Sequence, residues 1–443
     1  MHISIRYKLF ITACLTITAI CSCSEDNKIT PDKTAGIVIN KSELVLRVGQ
    51  SDTTLFATIY PASDATDYDI VWNSDNESVA TVDRLTGAIT AISAGTADIS
   101  ASTADGKLSD TCAVTVRPPV SVYAVGTCGS NKAAVWHDGE MTLLPGDITT
   151  ANAVYLHGED LFVAGQIWND NRWDACVWKN GENTVYGYSG FPSFINDIHV
   201  SEAGQVLACG YSSADGVVPV LWIDGLAQQL PCESSYSEAT ALIEDDGVVY
   251  VTGYDYNTEY EMGIYGNGIL WINGARTEIS DGVEDFVECT DMEILNGIVY
   301  MCGTRTLSSG AAEKPILYVD GEIRELPSYG SNTYATALCL HEGDIYVSGY
   351  VDVSVLDENG DTVPRYIAVY WKNDEMIALT DGTTSAMALS IEVRDSDVYV
   401  GGHDSDISDT PYTRAYATIW KNGEVILNDR SAPGSVTDMA LTE

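Results

Sequence analysis

One pattern recurs seven times between residues 120 and 443, and it constrains the fold more than any other feature of the chain. It starts with a β-prone run ending on glycine: 122–126, 161–165, 206–210, 249–253, 299–303, 345–349 and 398–402. The successive glycines stand 39, 45, 43, 50, 46 and 53 residues apart. Downstream of each comes an aromatic residue and a tight turn, as in Trp136-His137-Asp138-Gly139, Trp178-Lys179-Asn180-Gly181 and Trp420-Lys421-Asn422-Gly423. Asn-Gly and Asp-Gly suit the two-residue hairpin whose central residues both need positive φ, and six of the seven repeats carry that dipeptide. A strand of small residues fills the interval before the next glycine run, for example Ala151-Asn152-Ala153-Val154 and Ala335-Thr336-Ala337-Leu338.

Each repeat therefore holds four strands, and four-stranded repeats of this length are propeller blades. The expectation is an all-β chain whose residues 120–443 form a seven-bladed β-propeller. The small-residue strand belongs innermost, where blades converge. The domain begins on a second strand and ends on an inner one, so residues 435–443 are expected to complete the first blade and close the ring without an exposed edge. An aromatic at one fixed place per repeat is what blade packing requires, so the repeat tryptophans are read as core.

Residues 36–117 alternate in short strands broken by turn residues, the pattern of a small β-sandwich. The segments SELVLRVGQ (42–50) and SVATVD (78–83), with Trp72 between them, resemble the bacterial immunoglobulin-like group 2 family. That resemblance implies a spacer or adhesion module without chemistry of its own. Pro118 and Pro119 then make a stiff joint.

The N-terminus reads as an address. Arg6 and Lys8 precede an apolar run at 9–20, too short to span a bilayer but typical of a secretory signal. Ile20-Cys21-Ser22-Cys23 resembles a bacterial lipobox, and Ser24-Glu25-Asp26 resembles the acidic export signal of Bacteroidota surface lipoproteins. Together they imply a signal peptide at 1–22, lipidation of Cys23, a polar tether at 23–35 and exposure on the outer membrane. Lys and Arg number 22 against 64 Asp and Glu, a net charge of −42. A nucleic-acid partner is excluded for want of clustered cations, and membrane contact is expected only through the lipid. Of the eleven cysteines, the eight beyond Cys23 form no CxxC pair and read as buried free thiols.

Function is expected on the propeller face with the longer connections. Turns from inner to second strand and from third to outer strand are short. The glycine-to-aromatic separations, in contrast, run 10, 13, 12, 18, 15, 22 and 18 residues. Variable loops on a rigid scaffold make a binding surface. Trp168, Trp173, Tyr254, Tyr256, Tyr260, Tyr412 and Tyr416 fall there. Such rings stack on sugars or serve protein contacts; the plainer reading is that they brace their own loops. The third inner-strand position reads Ala153, Asp197, Ala241, Asp291, Ala337, Ala388 and Asp438 around the ring. Asp197, Asp291 and Asp438 are candidates for cation binding or acid–base work at the channel mouth, or for hydrogen bonds to neighbouring blades. Asp357, Asn359 and Asp361 alternate like a calcium loop but lack the later glutamate that completes one. No cofactor is expected, Ca2+ being the one candidate.

The sequence thus points to a monomeric, surface-tethered, non-enzymatic lipoprotein that binds a polysaccharide, preferably a neutral one given the charge. Its rivals are a glycoside hydrolase or lyase using the channel aspartates, and a scaffold for surface-protein partners.

Overall fold

The computed structural model describes residues 36–60, 69–213, 216–257, 265–279, 286–307, 312–330, 332–356, 362–363, 365–406 and 414–442. Cys23, the signal and the tether lie outside the described residues, as do Tyr260, Tyr412, Asp357, Asn359 and Asp361. The chain divides into two units, Met1–Pro119 and Val120–Glu443. Among the described residues no helix is long and apolar enough to cross a membrane.

In the N-terminal unit, strict alternation builds the sandwich. Strand Ser109–Arg117 turns Cys112, Val114 and Val116 inward and exposes the residues between. It lies between Glu43–Arg47, which it pairs in parallel, and Gly95–Thr103, whose far side carries Ile70–Ser74. A three-stranded sheet of Ser51–Asp52, Ile89–Ala91 and Ala80–Val82 supplies further core residues. Trp72 is buried at the centre. Gly87, at φ +76°, passes so close that a Cβ would sit 2.7 Å from the indole, so no side chain is tolerated there.

The second unit consists of seven four-stranded blades. The inner strands of blades 1 to 6 are Thr149–His157, Ser193–Val200, Tyr236–Asp245, Phe286–Leu295, Thr333–His341 and Ser385–Arg394. Blade 7 is composite. Its inner strand Gly434–Leu441 pairs with Val122–Cys128, which continues into Lys132–His137 and Glu140–Leu143. The ring closes as the sequence required.

The repeated residues now acquire physical reasons. Asp138, Asn180, Asp224, Asn273, Asp320, Asn373 and Asn422 each open a third-to-outer turn at φ between 46° and 54°. Trp136, Trp178, Trp222, Trp271, Trp371 and Trp420 are fully buried. The indoles of Trp178, Trp271 and Trp371 donate to the carbonyls of Pro145, Pro231 and Pro327 at 3.1, 2.8 and 2.7 Å, tying each blade to the segment that leads into it. The eight described cysteines are free, and all but Cys232 are buried.

The repeat glycine does not end its strand, as the sequence reading supposed. It sits mid-strand opposite a β-bulge, where the inner strand carries one extra residue. A Cβ on Gly126, Gly165, Gly210, Gly253, Gly303, Gly349 or Gly402 would lie 1.9 to 2.0 Å from an inner-strand carbonyl oxygen. Backbone approach, not termination, explains the glycine. Six of the bulged residues (Asn152, Asn196, Thr240, Thr290, Thr336 and Thr437) donate a side-chain hydrogen bond to the next blade's inner-strand carbonyl at 2.7 to 3.3 Å. Leu389, the seventh, has no group to donate.

Candidate functional site

The residue after each bulge is Ala153, Asp197, Ala241, Asp291, Ala337, Ser390 or Asp438, so the sequence alignment of blade 6 on Ala388 was two residues out of register. Asp197, Asp291 and Asp438 stand mid-channel rather than at the mouth. Their carboxylates accept the N–H groups of Leu242, Leu338 and Val154 in the next blade at 2.7, 2.7 and 2.8 Å. The second oxygen of each accepts the following N–H of its own strand. Ser390 donates to Asp438 at 3.2 Å, covering the joint that Leu389 leaves open. Burial pushes Asp291 up to about 7 and Asp438 to about 6, and burial with the two other aspartates pushes Asp197 well above the carboxylate range. These are blade clasps, the hydrogen bonds to neighbouring blades that the sequence offered as one of their two roles, with each carboxylate oxygen accepting a backbone N–H.

The second strands continue past their glycines, so residues assigned to loops lie on extended hairpins. Trp168 and Trp173 are cross-strand partners in blade 1, with rings edge to face at 5.4 Å. The turn between them is two residues, Asp170 and Asn171, both at positive φ. Trp168 is 39% exposed, the pair forming an aromatic knob. Tyr254 and Tyr256 lie on the second strand of blade 3, Val248–Asn257. Tyr256 packs on Phe286 of blade 4 at 4.6 Å and meets Tyr236 at 5.5 Å. Tyr254 is buried, and the Arg430 guanidinium lies over Tyr416 at 5.2 Å, so these two rings act as braces.

The geometry adds residues that sequence reasoning missed. The residue three before each Asp/Ala/Ser position faces the residue that follows the glycine across the strand pair. These couples include Phe194 with Tyr211 in blade 2, Glu238 with Tyr254 in blade 3 and Tyr334 with Tyr350 in blade 5. Phe194 and Tyr211 stack at 4.7 Å, and Tyr334 and Tyr350 at 4.6 Å. A run of aromatics therefore passes over five consecutive blades: Trp168 and Trp173, Phe194 and Tyr211, Tyr236 and Tyr256, Phe286, then Tyr334 and Tyr350. Blades 6 and 7 present His403 and Ser435 there, hydrogen-bonded at 3.1 Å. The signal was available, since each mouth residue directly precedes the small-residue motif, as Glu238 precedes Ala239.

Three carboxyl groups sit within this arc. Tyr236 and Tyr254 donate to Glu238, which burial pushes upward. Burial, with Glu238 and Glu313 nearby, pushes Glu288 up to about 7. Tyr334 donates to Glu313, whose Oε2 has no hydrogen-bond partner. A carboxyl that titrates near neutrality both donates and accepts, which suits hydroxyl-rich ligands. No group of three His, Cys, Asp or Glu among the described residues is placed to hold a metal ion.

Residues 33–114 match the model of the Bacterial Ig-like domain (group 2). The N-terminal unit is a group 2 bacterial Ig-like domain. An uncharacterized protein of Clostridium acetobutylicum is 43% identical over 82 residues, 18% of this chain and 20% of that protein. Similar solved structures include the β-propeller domain of the trilobed protease of Pyrococcus furiosus (12% identity, TM-score 0.41, covering 77% of this chain and 97% of that one). A quinonprotein alcohol dehydrogenase-like protein of Bacteroides thetaiotaomicron shares 10% identity at TM-score 0.40, covering 90% and 96%. An acylaminoacyl peptidase of Pyrococcus horikoshii shares 13% at 0.42, with half of that chain covered.

Proposed function

We propose that the propeller is a receptor for a neutral polysaccharide, bound along the aromatic arc of its hairpin face. The observation that carries this reading is the arc itself. Rings on five neighbouring blades follow a curved track, interrupted by hydroxyl and carboxyl groups. Apolar C–H faces of successive sugars stack on such rings, while Glu238 and Glu288 meet their hydroxyls. In this proposal Cys23 carries the lipid, the Ig-like domain is a spacer, and the protein works as a monomer at the cell surface. Calorimetry against a panel of neutral and anionic polysaccharides tests it. Binding to a neutral glycan that Tyr256→Ala and Trp168→Ala weaken supports the reading; affinity untouched by both overturns it.

One observation favours a second reading, a hydrolase or lyase. Glu288, titrating near 7 beside Glu238 and Glu313, has the coupled-carboxyl environment used for proton transfer to a leaving oxygen. Release of new sugar ends during incubation, abolished by Glu288→Gln, would select it.

A further inference from the structure

The three clasp aspartates alternate with alanine: from blade 1 to blade 7 the position reads Ala153, Asp197, Ala241, Asp291, Ala337, Ser390 and Asp438. Each carboxylate takes two N–H groups, one from its own inner strand and one from the next blade. Asp197 takes those of Ile198 and Leu242, Asp291 those of Met292 and Leu338, and Asp438 those of Met439 and Val154. At Ala153 or Ala241 an aspartate would find both donors already taken. Three aspartates thus serve six blades two by two, and blade 6 is left with Ser390.

The seams between blades follow the same alternation. Seams 7–1, 2–3 and 4–5 each carry a clasp, a bulge-residue bond and an indole bond from Trp178, Trp271 or Trp371 to the segment entering its blade. At seams 1–2, 3–4 and 5–6 the bulge residues Asn152, Thr240 and Thr336 still bond across, but alanine offers no clasp. The indole Nε1 of Trp222, beside seam 1–2, has no partner, and Tyr318 replaces the tryptophan beside seam 3–4. Seam 6–7 is intermediate, with Ser390 on Asp438 at 3.2 Å and the Trp136 indole on Asp429 at 2.8 Å. Toward the mouth both kinds of seam are bonded, Ala133 N–H to Thr149 Oγ1 at 7–1 and Ala175 N–H to Ser193 Oγ at 1–2. The difference therefore lies around the channel. Apolar packing does not offset it, since each of the seven seams has one core cluster. Buried hydrogen bonds to an ionisable carboxyl are among the stronger ones, and proteins open locally where such bonds are fewest.

We propose that the propeller opens as blade pairs: blades 7 and 1, 2 and 3, and 4 and 5 move as rigid units, and the ring parts first at seams 1–2, 3–4 and 5–6. Seam 3–4 runs under the aromatic arc, where Tyr256 of blade 3 meets Phe286 of blade 4 at 4.6 Å. Opening there parts the two rings, so the shape of the arc is coupled to the weakest joints of the ring.

The protein carries its own reporters for the test. Cys176 lies in the core cluster of seam 7–1, Cys209 in that of 2–3, Cys302 in that of 4–5 and Cys289 in that of 3–4, and all four are free and fully buried. The whole chain is incubated with N-ethylmaleimide well below its melting temperature, and labelled peptides are mapped by mass spectrometry over time. Cys289 should react about tenfold or more faster than Cys176, Cys209 and Cys302, the margin expected from one charge-assisted hydrogen bond. Asp197→Ala unclasps seam 2–3, so Cys209 should then approach the rate of Cys289 while Cys176 and Cys302 keep theirs. Four thiols reacting at one rate in the unaltered chain would mean that the ring opens only by unfolding whole, and would overturn the proposal. So would a Cys289 slower than the other three, or rates that rise together in Asp197→Ala. The comparison within the unaltered chain decides the matter even if that variant folds poorly.

Discussion

Asp438 accepts the backbone N–H of Val154 at 2.8 Å, joining residues 284 apart in sequence and fastening the last strand to blade 1. Its other oxygen takes the N–H of Met439 and the hydroxyl of Ser390 from the blade before. One carboxyl thus binds three consecutive inner strands at the point where the ring closes.

That arrangement predicts different outcomes for two substitutions. Asp438→Ala leaves two buried N–H groups without acceptors and should cost roughly 2–6 kcal/mol, at about 1–3 kcal/mol per unsatisfied group. Asp438→Asn keeps an acceptor for Val154 and removes a charge that burial disfavours, so its loss should be much smaller. Chemical denaturation of both variants measures the difference. Equal destabilisation would mean that charge, not hydrogen bonding, is what Asp438 supplies.

The clasp residues also set a pH dependence. Asp438 at about 6, Asp291 at about 7 and Glu293 at about 8 all hold protons more tightly in the folded protein than at their ordinary values of 3.8, 3.8 and 4.5. The native state therefore binds more protons than the unfolded one between roughly pH 4 and 8, and stability falls as pH rises through that window. Melting temperature should be higher at pH 5 than at pH 8. Asp291→Asn should flatten the slope, and a melting temperature that climbs toward pH 8 would refute the assignment.

Closure makes the C-terminus indispensable to the propeller. Deleting residues 434–443 uncovers the edge of Val122–Cys128 and removes Val436, Met439 and Leu441 from their core cluster. The shortened protein should lose its single cooperative transition in calorimetry and expose apolar surface to a dye. A transition identical to that of the whole chain would show that blade 7 stands without its inner strand.

Blade number, strand order and closure were legible because each repeat announces itself twice, by a glycine and by a turn dipeptide that chemistry restricts. The sandwich was legible from alternation alone, as in Cys112, Val114 and Val116. The site was less so. A glycine such as Gly165 looked like a strand end, yet it marks close backbone approach at a bulge, and the strand runs on to Asn169. That displaced Trp168 and Trp173 from an imagined loop onto a hairpin. Glu238 and Glu288 escaped notice because their partners are set by cross-strand register and by neighbouring blades, which one-dimensional spacing does not encode.

The aromatic residues allow stability and binding to be separated. Trp178 is fully buried and its indole is hydrogen-bonded to Pro145, so Trp178→Ala should cost about 3–5 kcal/mol. Trp168 is 39% exposed, and Tyr256 is partly exposed beside Phe286. Replacing either by alanine removes less buried area than Trp178→Ala does, so the melting temperature should move less. Each offers a ring to the proposed glycan, and loss of one stacking platform costs roughly 1–3 kcal/mol by analogy with bases on aromatic rings. Affinity should therefore drop about tenfold in Trp168→Ala and in Tyr256→Ala. The two positions stand at different places on the arc, so a short oligosaccharide should respond to one substitution and a long chain to both. Binding and melting curves on the same preparations decide the matter. If the alanine variants lose stability while keeping affinity, the rings brace their hairpins and the glycan track lies elsewhere.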